Sequence, residues 1–115
     1  MTLVHHPDLE LMQGDDWAIS ATLIDANGVA VNLTGAELEW ALVGPDGNPV
    51  ALAEADATIT VISPPTAGLI TINLANSVTS TLDAGRYFDT VRVFVTGITT
   101  DWLGNILVDA SAFEA

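Results

Sequence analysis

The stretch AELEWAL, residues 36–42, decides the fold class of this chain. Successive side chains of an extended strand point to opposite faces, so Leu38, Trp40 and Leu42 share one face and the two glutamates share the other. Two carboxylates on one face cannot be buried without partners. The stretch therefore predicts a strand with one face in a core and the other in solvent.

The same alternation of period two recurs on both sides of this stretch. It is found in residues 17–23, 58–61, 70–74, 87–95 and 105–109. Asn-Gly and proline-rich turn signals separate these runs at residues 26–28, 44–49 and 64–68. Short strands at this spacing are typical of an all-β sandwich or barrel.

Two features depart from the alternation. Residues 76–83 show no period of two; with Asn76 as a cap and Gly85 as a terminator, they predict a short helical turn before the next strand. In that strand, Asp89 interrupts an apolar face that begins at Tyr87.

The length of 115 residues fits one domain. We expect residues 1–7 to form a flexible N-terminal arm and residues 8–115 a single β-sandwich domain. The N-terminus lacks the basic and long apolar regions of a signal peptide, which predicts a protein made in a cytoplasm. The chain has no cysteine, which excludes disulfides, zinc–thiolate sites and cysteine nucleophiles.

The charge balance excludes whole classes of partner. The chain has 15 acidic residues and two basic ones, Arg86 and Arg92, with a formal net charge of −13. Nucleic acids and anionic membranes are recognised through Lys and Arg, so we expect neither as a partner. The acidity suits a basic partner surface or cations, or it simply covers the solvent face.

Residues for catalysis are scarce. His5 and His6 are adjacent, and in a regular strand they would point to opposite faces. No Gly-x-Ser-x-Gly elbow and no phosphate-binding loop is present, and lysine is absent. A metal site needs three or four convergent ligands, which a histidine pair alone does not supply. The sequence predicts a protein that is not an enzyme and has no cofactor.

Weak calcium candidates lie in two turns. Asp25, Asn27, Asp46 and Asn48 place oxygen ligands at turn spacing, but no complete calcium loop follows. The same residues are favoured in turns without any ion. Both interpretations stay open at this point.

Three residues are candidates for contacts with other proteins. Trp102, beside Asp101 in a predicted loop, is expected to be exposed, and tryptophan is enriched at interface hot spots. Arg92 lies on the strand face opposite its apolar neighbours and is expected to reach a carboxylate, solvent or a partner. Phe113 lies in the C-terminal tail and packs back on the domain or contacts a neighbour. Residues 9–12 and 105–109 are the candidate edge strands.

The order of the motifs resembles a family of small phage virion domains: the immunoglobulin-like N-terminal domain of phage baseplate upper proteins and related small tail-module proteins. The motifs that carry the resemblance are QGDD (13–16), DANG (25–28), VNLTGA (31–36), GLITINL (68–74) and LDAGRY (82–87). They cover most of the chain from about residue 9 onward.

The resemblance implies an immunoglobulin-like antiparallel β-sandwich of about 7–8 strands with the helical turn near 76–83. It further implies a non-enzymatic structural protein of a bacteriophage particle, in the tail, the baseplate or a head–tail adaptor. Such a protein would contact other phage structural proteins and form a homo-oligomer in the virion, after synthesis in the host bacterial cytoplasm. The alternative from the residues themselves is a stand-alone calcium- or carbohydrate-binding β module, based on the Asp/Asn turns and Trp102.

Overall fold

The computed structural model describes residues 3–53 and 55–111. Within these residues the chain forms eight strands: β1 Leu9–Met12, β2 Trp17–Thr22, β3 Glu37–Val43, β4 Pro49–Leu52, β5 Thr58–Val61, β6 Leu69–Leu74, β7 Gly85–Val95 and β8 Ile98–Asp109. A 3-10 helix, Pro65–Ala67, precedes β6, and helix α1, Asn76–Thr79, precedes β7. None of the helices in the described residues has the length and apolar character needed to cross a membrane.

The strands form two sheets. The five-stranded sheet has the order β1-β8-β7-β3-β4, and the three-stranded sheet has the order β2-β6-β5. All pairs are antiparallel except β1 with β8, which is parallel. The predicted all-β sandwich of about 7–8 strands is confirmed.

The AELEWAL stretch forms most of β3, which lies in the interior of the five-stranded sheet. Trp40 and Leu42 are fully buried, Leu38 is half-buried, and both glutamates are exposed. The alternation thus predicted the inward face of β3.

The core lies between the two sheets and comes mainly from alternate strand positions. Its largest fully buried apolar side chains are Ile19, Leu23, Trp40, Leu42, Ile70, Ile72, Leu74, Val91, Val93, Trp102, Ile106 and Val108. Burial of this apolar surface is the main favourable contribution to folding.

The helical turn lies where it was predicted, but its ends differ. Ala75 is the N-cap of α1 and makes no side-chain capping bond, so Asn76 is the first helical residue. The backbone N–H of Asn76 instead donates to the Asp16 carboxylate at 2.7 Å. Gly85 begins β7.

The C-terminal region is one long strand, which corrects the prediction of a loop near Trp102. Trp102 is 1% exposed, faces inward opposite Val91, and donates from Nε1 to the Ile24 carbonyl at 2.9 Å. Gly104 lies within β8 opposite Asp89.

One of the two predicted edge strands is an edge. Strand β1 ends the five-stranded sheet, as expected. Residues 105–109 instead lie in the sheet interior, because β8 pairs with β1 on one side and β7 on the other.

Residues 3–7 are seated on the sandwich, which differs from the flexible arm expected there. Leu3 packs against the core, Val4 bridges to Leu103, and both histidines are buried. The carbonyl of His5 accepts from Thr22 N–H of β2 at 2.9 Å. This segment therefore contacts both sheets.

The Trp102→Ala variant is expected to unfold with a free energy about 3–5 kcal/mol lower than the parent, because it leaves a large cavity in the core. Denaturant unfolding measures this change. The matched variant Phe94→Ala, at a position 45% exposed, should cost far less. Equal losses in the two variants would contradict the placement of Trp102.

Candidate functional site

The one group of three convergent metal-ligand-type side chains in the described residues is buried and centred on Asp89. Oδ2 of Asp89 accepts from His5 Nε2 at 2.8 Å and from Trp40 Nε1 at 2.9 Å. Oδ1 lies 2.6 Å from His6 Nε2. Three donors from the N-terminal segment and β3 thus meet one carboxylate of β7. We call these four residues the Asp89 cluster.

Both ring nitrogens of His6 face acceptors. Nε2 faces the Asp89 carboxylate, and Nδ1 lies 2.7 Å from the carbonyl of Pro7. A neutral imidazole has one N–H, so it can satisfy only one of these acceptors. The geometry therefore assigns His6 as an imidazolium that donates from both nitrogens.

His5 differs from His6 in its second nitrogen. Its Nε2 faces Asp89, but its buried Nδ1 has no hydrogen-bond partner. The hydrogen bond of His5 to Asp89 is therefore made from Nε2. The cluster thus contains a charged pair, the Asp89 carboxylate and the His6 imidazolium.

The pKa values of the charged pair follow from this arrangement. Burial alone would lower the pKa of His6, but the hydrogen bond and charge of Asp89, with the Pro7 carbonyl, raise it above 6.5. Burial alone would raise the pKa of Asp89, but the hydrogen bonds and charges of both histidines lower it to about 2. Each partner thus stabilises the charged form of the other.

Local backbone features bring the cluster together. Residues 5 and 6 lie in a bend, not a regular strand, so their side chains converge instead of pointing to opposite faces. A Cβ on Gly104 would overlap the His6 ring and lie 2.8 Å from Asp89 Oδ1. Glycine at this position therefore makes room for the cluster.

The ligand-type atoms of His5, His6 and Asp89 lie within 4.8 Å of one another, as close as the ligands of a single metal ion would be. Zinc bound tetrahedrally at about 2.0–2.1 Å would hold its nitrogen and oxygen ligands roughly 3.3 Å apart. The observed separations from Asp89 are 2.6 and 2.8 Å, which are hydrogen-bond distances. These distances fit direct hydrogen bonds between the histidines and Asp89 better than ligation of a zinc ion.

The aspartates among the calcium candidates accept hydrogen bonds from residues of their own turns. Asp25 Oδ1 accepts from the backbone N–H groups of Asn27 and Val29 at 2.9 and 3.0 Å. Asp46 accepts from the backbone and side chain of Asn48, and these bonds lower the pKa of Asp46. Turn geometry thus explains all four candidate residues.

The three interface candidates have different environments. Trp102 is a core residue, as described above. Arg92 is exposed and donates two hydrogen bonds to the Asp101 carboxylate, from Nε at 2.8 Å and from Nη2 at 3.0 Å. Phe113 lies outside the described residues.

Arg92 lies in a surface that sequence reasoning did not identify. On the outer face of the five-stranded sheet, Phe88, Phe94 and Leu103 are 39%, 45% and 38% exposed around the Arg92–Asp101 pair. We call these five residues the outer patch. Alternation along β7 could have indicated it, because Phe88, Arg92 and Phe94 occupy outward positions.

Comparison with known proteins identifies the fold and no family. No protein-family model and no curated protein matches the chain. Among solved structures, the titin M3 domain is similar at a TM-score of 0.56 and 15% identity, covering 94% of this chain and 92% of the titin chain. Titin domain M7 is similar at 0.54 and 12%, covering 96% and 93%. The expected immunoglobulin-like sandwich is confirmed.

Asp89 follows Tyr87 at the spacing that a cysteine has from a conserved tyrosine in antibody domains. In such domains a tyrosine near the start of the sixth strand bonds back to the backbone, two residues before a cysteine whose disulfide packs on a buried tryptophan. Here Tyr87 donates to the Asp83 carbonyl at 2.7 Å, Asp89 follows two residues later, and Trp40 bonds to it. By this spacing Asp89 lies at the position of the second cysteine, and it makes hydrogen bonds and an ion pair to the N-terminal segment and β3.

The Asp89→Asn variant is expected to lose about 3–5 kcal/mol of unfolding free energy, because the buried imidazolium loses its counter-charge. Asp101→Asn is the matched control. It breaks an exposed ion pair and should cost at most about 1 kcal/mol. Chemical denaturation measures both, and similar small losses would show that Asp89 does not organise the core.

Stability should also depend on pH with a definite sign. The raised pKa of His6 gives stability that is complete below 6.5 and is lost as pH rises through its folded value. The lowered pKa of Asp89 gives stability that is complete above 3.8 and is lost as pH falls through about 2. The melting temperature should therefore be highest between pH 3.8 and pH 6.5, where both contributions are complete.

Thermal melts between pH 5 and 9 test this dependence, with His6→Gln as the comparison. The variant should melt lower at pH 5 and show a weaker decline toward alkaline pH. A parent melting temperature that does not change from pH 5 to 9 would contradict an imidazolium at His6.

Proposed function

We propose that this protein is a non-enzymatic structural module of a bacteriophage particle, in the tail, the baseplate or a head–tail adaptor. It acts through protein–protein contacts. The observation that carries the non-enzymatic part is the burial of the Asp89 cluster: the side chains of both histidines and of Asp89 are 0% exposed. A substrate cannot reach these groups without local unfolding.

The outer patch supports a role in protein contacts. Its large apolar side chains surround a central arginine, and interface cores are enriched in aromatic residues and arginine. The flanking Glu37 and Glu39 are exposed on the same sheet face, opposite Phe94 and Arg92. Aromatic side chains beside carboxylates suit a partner surface with both apolar and basic groups.

The phage assignment rests on the resemblance in motif order. The immunoglobulin-like fold is compatible with it, but this fold serves many unrelated functions. The expected virion location, phage partners and homo-oligomeric state belong to this proposal. The protein inventory of particles purified from a host that produces the chain tests it directly, and absence of the chain from those particles would contradict it.

The Phe94→Asp variant should enter particles at least about tenfold less efficiently than the parent, because a carboxylate replaces an apolar contact at the outer patch. Its melting temperature should fall by only a few degrees, since the side chain is already half exposed and the new carboxylate meets Glu37 in solvent on the opposite strand. Val29→Asp in an exposed turn is the matched control and should be incorporated normally. Competition between tagged parent and variant chains, read by quantitative mass spectrometry, measures the effect.

A further inference from the structure

The three-stranded sheet carries no charge, in a chain with a net charge of −13. Residues 17–24 and 57–82 contain no Asp, Glu, Lys, Arg or His, and they include all of β2, β5 and β6. Its outer face presents small polar side chains, among them Ser20, Thr60 and Thr71. Depletion of charge is the compositional mark of a buried interface core.

The edges of the two sheets differ in their protection. Proteins protect exposed edge strands with charge, proline or a covering segment. In the described residues, β1 carries Glu10, β4 begins at Pro49, and the end of β2 is covered where Thr22 N–H bonds to the His5 carbonyl.

Strand β5 is the least protected of these edges, because the isolated bridge beside it joins Ala53 to Ala57, before the strand begins. It ends the three-stranded sheet and pairs with β6 on one side. It has neither a charged residue nor a proline, and Val61 and Ile62 at its end are 36% and 39% exposed. An edge with these properties invites strand pairing.

We propose that β5 pairs antiparallel with β5 of a second copy of this chain, joining two three-stranded sheets into one six-stranded sheet. A two-fold interface sets each patch against itself, so the patch must be self-complementary. Hydroxyl groups are both donors and acceptors and meet this condition. Acidic edges would bring like charges together, which the uncharged β5 avoids.

This inference names a partner for the proposed structural role and rests on that role only for its biological setting. The net charge makes the two copies repel each other at long range, so the dimer should strengthen with salt. Raising ionic strength from about 0.1 to about 1 M shortens the screening length from about 10 to about 3 Å. Sedimentation equilibrium should show a higher dimer fraction at the higher ionic strength.

Site-directed cross-linking gives the sharpest test, because the chain has no cysteine of its own. Disulfides form only where the two Cα atoms approach to about 4.4–6.8 Å. Thr58→Cys alone, Thr60→Cys alone and an equal mixture of the two cover the antiparallel registers centred on residues 58, 59 and 60. One of these samples should form a disulfide dimer in high yield under mild oxidation.

Ser20→Cys, exposed on the same sheet face but in β2, is the matched control and should give little dimer. Thr60→Glu should weaken the dimer about tenfold or more, because it sets like charges close together. Its melting temperature should stay close to that of the parent. Absence of a specific cross-link from all three β5 samples, or an equal yield from Ser20→Cys, would overturn the proposal.

Experiment can contradict the phage role and the pairing of β5 independently of each other. Particles that contain the chain, together with a monomer at all salt concentrations and no β5 cross-link, would overturn β5 pairing alone. A β5 dimer of the purified chain, with no chain in the particles, would overturn the phage role alone.

Discussion

A buried carboxylate must have hydrogen-bond donors, and Asp89 imposes this constraint on the rest of the domain. An isolated charge removed from water costs several kcal/mol, so the fold is stable only if partners reach it. The N-terminal segment supplies two histidines, β3 supplies the indole of Trp40, and Gly104 leaves the space between β7 and β8. Four separate parts of the chain are thereby fixed relative to one another.

The cluster also links the two sheets. Asp89 belongs to the five-stranded sheet, and the carbonyl of His5 accepts a hydrogen bond from β2 of the other sheet. A disulfide at this position would join the sheets covalently and depend on redox conditions. The hydrogen-bonded pair depends on pH instead, because it exists only while His6 is protonated and Asp89 is not.

The distribution of charge separates the two faces of the molecule. The outer face of the five-stranded sheet carries Glu37, Glu39 and both arginines at outward positions, whereas the three-stranded sheet carries no charge. We proposed that the outer patch on the first face contacts a partner protein and that the β5 edge of the second sheet pairs with another copy. The two surfaces belong to different sheets, so the two proposed contacts are compatible with each other.

The sequence by itself determined the sandwich, because alternation of apolar and polar residues is a local property that assigns each strand an inward face. It placed Trp40 and Leu42 in the core, located the helical turn, and assigned β1 to an edge. It did not determine the Asp89 cluster, because His5 and His6 are more than 80 residues from Asp89 and Trp40 is 49 residues from it, and these residues meet only in the tertiary fold. Asp89 interrupting an apolar face was the available signal, but no local pattern named its partners. The sequence also placed Trp102 in a loop, because the polar Asp101 and a glycine flank it. Only the packing of His6 against Gly104 explains why a glycine lies within this strand.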